Sequence, residues 1–387
     1  RVGDTLMLGS QVWRVIELTD DKVVVAGAAG ATPRMPFWRG DFPWRSYELG
    51  VRVGAFRRTV AERVGQVCTE LDLPDLRSIA RNREAGPVRR LLSWLRQEYA
   101  LDPNSAWHVV SYVASQVDHS GSISSDRTVL VELFDDALGD PRLVIQSPFG
   151  GRVNGLWGMA LAGALRERTG VDVEVQTNDD GILFRFPDAE AEFPLDLVTE
   201  MRPDEARSRI LSELPDSPVF GAQFRQNAAR ALLLPRRRPG RRTPLWQMRQ
   251  RASQLLAVAS RYGSFPIILE TYREVLSDVF DLPALRGILA AIERREIRVV
   301  SVETSRASPF ASSLLFDYIA TYMYEGDAPL VDRRAQALTL DRDLLRELLG
   351  AEQLRDLLDA EALAELELDL QALTEERAAG SVDQVHD

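Results

Sequence analysis

The chain has 387 residues, 45% apolar and 27% charged; these are ordinary globular values, with length enough for two or three cores. Its single cysteine, Cys68, excludes a disulfide framework and a cysteine-built zinc site and fits a reducing, cytoplasmic setting. No run approaches the roughly eighteen uninterrupted apolar residues of a membrane span, and the first residues, RVGDTLMLGS, lack a signal-peptide core, so no membrane partner is expected.

The formal charge of -11 is unevenly spread. Residues 325–387 hold 17 acids against six arginines, which accounts for all of it. Pooled charge therefore conceals local sign. The chain opens without methionine and closes on DQVHD, and it reads as a piece of a longer polypeptide.

The pattern predicts an α+β chain, mainly helical, in five parts. Residues 1–55 alternate in short β-rich runs, TLMLGSQVWRVIEL and KVVVAGA, parted by a polar turn; they predict a small barrel-like domain. Next comes ATPRMPFWRGDFPW, which sets Phe37, Trp38, Phe42 and Trp44 among Arg34 and Arg39. Rings interleaved with guanidinium groups suit a single nucleic-acid strand, because bases stack on the rings while the cations hold phosphates. The alternative is a hydrophobic plug. Within the set, Trp38 is the ring best placed for stacking.

Residues 56–125 carry apolar side chains at helical spacing and predict a helical layer. Asp102-Pro103-Asn104-Ser105 is a helix start, and His108 beyond it reads as a core or rim residue. The loop 118–126 holds His119, Ser120, Ser122 and Asp126, but a serine-rich linker does not converge a nucleophile, a base and an orienting acid.

Residues 126–215 predict an α/β unit. RTVLVELFDD and DPRLVIQSPFG are strands, GGRVNGLWGMALAGALRERTG is a helix, and VDVEVQT with ILFRF forms a hairpin across Asn178-Asp179-Asp180-Gly181. At the junction QSPFGGRVN, Gly150 and Gly151 open a helix with Arg152 and Asn154 in its first turn. Such a start leaves amides and the positive end of a helix dipole for an anion; a tight strand-to-helix turn is the other reading. Asp179 and Asp180 fit a hairpin turn better than a metal site.

Residues 216–325 predict a basic helical region. Between Asp216 and Glu270 there is no acid, yet ten arginines occur. Arg236, Arg237, Arg238, Arg241 and Arg242 lie in PRRRPGRRTP, which cannot be helical; the flanking QFRQNAARALLL and LWQMRQRASQLLAVASRY can. Guanidinium forks favour phosphate, so the natural partner is a polyanion. Arginine is common throughout, Lys22 being the sole lysine among 47 basic residues; that explains arginine over lysine and leaves the missing acids unexplained. Residues 326–387 read as an acidic, leucine-rich helical tail.

Several classes of site are missing. Lys22 follows two aspartates rather than a glycine loop, so there is no G-x-x-x-x-G-K-[ST] cradle, and His108, His119 and His386 make no two-histidine helix motif. No catalytic residue and no metal ligand is expected. A hydrolase or glycosylase would rest on isolated carboxylates alone.

Four stretches carry a resemblance: Arg34–Gly40, QSPFGGRVN, ARALLLPRRRPGRRTPLWQMRQRASQLLAVASRYGSFPIILETYREVLSDVFDLPAL, and SPFASSLLFDYIATYMYEGDAP. Together they are similar to the large helicase-related (Lhr) family of superfamily-two DNA helicases, from about Val2 to about Leu373. The likeness implies a DEAD/H-associated region that follows two RecA-like motor domains and a winged helix, with 3′-to-5′ translocation on single-stranded DNA in repair. It implies that Trp38 stacks on a base. ATP and Mg would belong to the motor domains, with no cofactor in this segment. The expected partners are single-stranded DNA and those domains of the same polypeptide. A protein-interaction scaffold, whose acidic tail binds or masks a basic surface, is the alternative.

Overall fold

The computed structural model describes residues 3, 5–8, 11–18, 22–28, 44–135, 141–170, 173–186, 194–234, 245–262 and 264–324. The chain forms two compact units, Arg1–Leu315 and Phe316–Asp387. The α+β, mainly helical expectation holds.

The first strands, β1 (Thr5–Leu8), β2 (Gln11–Leu18) and β3 (Val23–Gly27), form an antiparallel meander in the order β1-β2-β3, with Leu8 opposite Gln11 and Leu18 opposite Val23. The expected barrel is not formed among the described residues. Alternation in sequence specifies strands, whereas closure requires tilt, stagger and more strands than three short ones supply.

The helical layer is α1 (Tyr47–Glu70), α2 (Gly86–Tyr99) and α3 (Pro103–Ser120). The division expected at 55/56 falls inside α1. Ser46 caps α1 by accepting the Leu49 amide at 3.3 Å, and Asp102 caps α3 by accepting the amides of Asn104 and Ser105, which leaves Pro103 where its missing N–H is harmless. Val60, Val64, Leu91, Leu95, Val110 and Val113 fill the core between the three helices.

A second core surrounds a mixed sheet. Its strands are β4 (Thr128–Asp135), β5 (Pro141–Gln146), β6 (Glu174–Asn178), β7 (Gly181–Arg185) and β8 (Arg298–Glu303), in the order β6-β7-β5-β4-β8. All neighbours are antiparallel except β8, which returns parallel to β4 with Arg298 opposite Thr128. Val129, Val131, Leu143, Ile145 and Phe184 meet Leu156, Trp157 and Leu161 of α4 (Gly151–Thr169).

Between β7 and β8 come α5 (Asp196–Glu200), α6 (Pro203–Glu213), α7 (Pro218–Arg230), α8 (Leu245–Ala259), α9 (Pro266–Glu274), a π-helical turn (Val275–Val279) and α10 (Leu282–Glu293). α11 (Pro309–Tyr324) follows β8. A buried polar network ties the start of α11 to the sheet: Glu132 accepts from the Ser308 amide and hydroxyl, both at 2.6 Å, and from Thr304 Oγ1 and Gln146 Nε2.

Candidate nucleic-acid interface

The expected anion cradle at the start of α4 is occupied from within the chain. Gly150, at φ +93°, takes a conformation open to glycine and donates its amide to the Asp179 carbonyl at 3.1 Å. The Asp179 carboxylate accepts the Gly151 amide at 2.8 Å and the Arg45 amide at 2.9 Å through the same oxygen. An anion at this dipole would have to displace a carboxylate already bonded there.

Arg152 and Asn154 are likewise engaged. The Arg152 guanidinium donates to the carbonyls of Ser277 at 2.8 Å and Phe280 at 3.1 Å, at the exit of the π-helical turn. Asn154 is fully buried; it accepts the Ser147 hydroxyl and donates to the carbonyls of Ser147 and Asn178. The junction is a joint between β5, the β6–β7 turn, the start of α1 and the π-helical turn. The correction to the anion-cradle reading is physical: antiparallel pairing of β7 with β5 brings Asp179 beneath the first turn of α4, and nothing local to Gly150 announces it.

The Asp179-Asp180 turn is a hairpin turn as expected. Asn178 Oδ1 accepts the amides of Asp180 and Gly181. The Asp180 carboxylate also holds two arginines, Arg45 just ahead of α1 and Arg57 within it, each at 2.7 Å. Burial pushes the Asp180 carboxyl upward, but the Arg57 charge and the Arg45 hydrogen bond outweigh it and hold the group below the usual carboxylate range. Sequence inspection missed Arg45 and Arg57, because their acid lies 135 and 123 positions away.

Of the aromatic set, Trp44 is described: its ring lies over Gly151, where a Cβ would collide with it. Trp38, Arg34 and Arg39 lie outside the described residues, as do Arg236, Arg237, Arg238, Arg241 and Arg242.

The helices flanking the basic loop are described, and their arginines differ. Arg230 donates to both oxygens of Glu274, at 2.8 and 3.0 Å. Arg249, Arg251 and Arg261 are exposed and make no ion pair among the described residues. α7 packs against both α8 and α9.

No catalytic convergence appears at 118–126. His119 Nε2 is bonded to the Arg306 carbonyl, the Ser120 hydroxyl faces carbonyls of Gln116 and Ser122, and Asp126 is held by Arg58. His108 is an exposed residue of α3. Among the described residues no group of three or more His, Cys, Asp or Glu can hold a metal ion, and no helix is long and apolar enough to cross a membrane.

Residues 123–311, the mixed sheet and the helices between its strands, match the DEAD/H associated family. Over all 387 residues the chain is 43% identical to a Lhr helicase/probable uracil glycosylase of Mycolicibacterium smegmatis, covering 24% of that protein. It is 38% identical over 379 residues to a Lhr helicase/uracil glycosylase of Escherichia coli, covering 23% of it. A solved structure of Mycobacterium smegmatis helicase Lhr bound to ssDNA and AMP-PNP superimposes with a TM-score of 0.60 at 40% identity, over 74% of this chain and 33% of that one. The chain thus spans about a quarter of the length of the bacterial relatives it matches. With two bacterial Lhr helicases alike along nearly its whole length and the associated domain at its centre, the chain belongs to the Lhr helicase family, as a segment that carries the DEAD/H associated domain.

Proposed function

We propose that this segment is the DNA-contacting accessory region of an ATP-dependent Lhr-type helicase that moves 3′-to-5′ along single-stranded DNA and serves DNA repair in the cytoplasm. ATP and Mg bind the RecA-like motor domains of the same polypeptide, which stand with a winged helix as its partners in cis. Trp38, Arg34, Arg39 and the arginines from 236 to 242 face the strand. One observation carries this reading: Arg249, Arg251 and Arg261 stand exposed and unpaired among the described residues of an acid-free span. A cationic surface without its own acids attracts a polyanion. That the neighbouring Lhr structure holds ssDNA supports it.

Fluorescence anisotropy with labelled oligodeoxythymidine at graded salt tests the proposal. Engaging several arginines predicts a log-log slope of roughly -0.7 per phosphate neutralised, and a flat response would remove the phosphate-tracking claim. A protein-interaction scaffold is the second reading, supported by exposed Leu232 and Leu233 beyond α7 and Leu269 on α9; it predicts that binding to the strand is weak and insensitive to these arginines.

A further inference from the structure

We infer that Tyr262 is a base-stacking residue for single-stranded nucleic acid, set at the end of α8 beside the phosphate-binding arginines. The inference rests on the DNA-contacting reading above and extends it to a ring that neither the sequence motifs nor the family likeness singled out.

Tyr262 is 65% exposed, more than any other large apolar or aromatic side chain among the described residues. The other two exposed tyrosines have a structural explanation. Tyr99, 41% exposed, packs edge-on against Phe56 and Trp94, and Tyr112, 44% exposed, stacks on Phe310 and donates its hydroxyl to the Pro309 carbonyl. Tyr262 has neither a ring partner nor a side-chain hydrogen bond among the described residues. Its ring is therefore presented to solvent without packing that accounts for it.

The backbone holds it there. α8 continues past Ala259 through a bonded turn: the Arg261 amide donates to the Val258 carbonyl, the Tyr262 amide to Ala259, and the Phe265 amide to the Tyr262 carbonyl at 2.9 Å. On a backbone held by these bonds a tyrosine has only about two side-chain torsions to lose on binding. Arg251 and Val258, seven residues apart, share one flank of α8, and Tyr262 follows in the turn that ends the helix. Arg261 lies next to Tyr262 in the chain, whereas Arg249, two residues before Arg251, leaves α8 on the other side; all three arginines are exposed and lack ion pairs among the described residues.

The occupant follows from the charge. No acid occurs between Asp216 and Glu270, so the flank repels cations and favours a polyanion that also offers a flat apolar face. A nucleic-acid strand offers both at each nucleotide. An acidic peptide offers the charge without a regular stack of rings.

The test compares the 387-residue chain with Tyr262→Ala, Tyr262→Phe and Tyr262→Trp on two labelled probes, oligodeoxythymidine and an abasic deoxyribose-phosphate strand of equal length. Stacking predicts that Y262A weakens oligodeoxythymidine binding by about five- to a hundredfold, the range for one base lost from an aromatic platform. It predicts that Y262F and Y262W retain binding and that the abasic strand binds all four proteins alike. Equal weakening on both probes, or no weakening on oligodeoxythymidine, overturns the inference while a salt-dependent wild-type affinity keeps the underlying reading. If the wild-type chain binds neither probe at low salt, both fall. A loss of poly-glutamate binding in Y262A at unchanged oligodeoxythymidine affinity overturns it in favour of an acidic protein partner.

Discussion

The Asp179 carboxylate accepts the Gly151 amide at 2.8 Å, so the positive end of α4 is answered by a hairpin turn of the same chain. Because the same oxygen accepts the Arg45 amide, Asp179→Ala strips two backbone donors of their acceptor. Loss of such a cap lowers stability by about 0.5–2 kcal/mol, measurable by urea denaturation. Asp179→Asn keeps an acceptor oxygen and should lose less. Sulfate should stabilise D179A more than wild type, since the vacated donors then suit an anion; equal stabilisation would show that the pocket closes instead.

Local chemistry was readable in the sequence wherever a residue and its partner are neighbours. Asp102-Pro103 starts α3, and Asn178-Asp179-Asp180-Gly181 turns β6 into β7. Pairing between distant segments was not readable: β8 joins β4 in parallel after more than 160 intervening residues, and no period in either strand encodes that neighbour. The sequence leaves the two readings of the Gly150 junction open for the same reason, because the carboxylate that meets the Gly151 amide lies 28 positions away. Strand alternation carries no information on closure, and the described residues of this region form a three-stranded meander.

α1 meets the sheet through two glycines, and the third glycine in the helix supplies a control. A Cβ on Gly50 would collide with the Pro148 carbonyl, and one on Gly54 with the backbone of Ser125 and Asp126; a Cβ on Gly65 meets nothing within 4 Å. Gly50→Ala and Gly54→Ala should each destabilise by about 1–3 kcal/mol or more, because backbone cannot yield as a side chain does. Gly65→Ala should stabilise by about 0.5–1 kcal/mol through helix propensity. Thermal melts of the three variants check the order, and a G50A protein as stable as G65A would mean that α1 does not sit so close.

Asp180 gives folding a dependence on acid. Burial raises its pKa, yet the charge of Arg57 and the hydrogen bond from Arg45 hold it lower than usual. A carboxyl depressed in the folded state stabilises fully above its unfolded value, and the contribution disappears as pH falls through the folded one. Asp180→Asn should therefore lower stability at neutral pH by about 1–3 kcal/mol, between the values for exposed and buried pairs. The deficit should begin to shrink as pH falls below about 4, where the carboxyl of the unfolded chain takes up its proton, and should go on shrinking as pH falls through the lower folded value. Denaturation midpoints from pH 7 to pH 3 test this; a deficit unchanged across that range would assign the loss to packing.

Glu132 is fully buried and takes four hydrogen bonds, from Ser308 twice, Thr304 and Gln146. Glu132→Gln turns one acceptor into a donor facing donors, which should cost about 1–3 kcal/mol. The loss should be local as well as global. The amides of Ser308, bonded to Glu132, and Phe310, bonded to Gln116, should lose hydrogen-exchange protection, while those of α2 keep theirs.

The arginines of the acid-free span separate into two kinds, and salt distinguishes them. Arg230 donates to both oxygens of Glu274 and is thereby neutralised, whereas Arg249 and Arg251 are exposed without an ion pair among the described residues. A cation that meets phosphate releases a counterion on binding; one already paired releases none. The Arg249→Ala, Arg251→Ala double variant should therefore flatten the log-log salt dependence of oligodeoxythymidine binding by roughly 1.4, twice the single-strand increment. Arg230→Ala should leave that slope in place and instead lower stability, since Glu274 is buried and would lose its charged partner. Equal flattening in both proteins would mean that the strand displaces Glu274 from Arg230, and an unchanged slope in the double variant would move the phosphate contacts off α8.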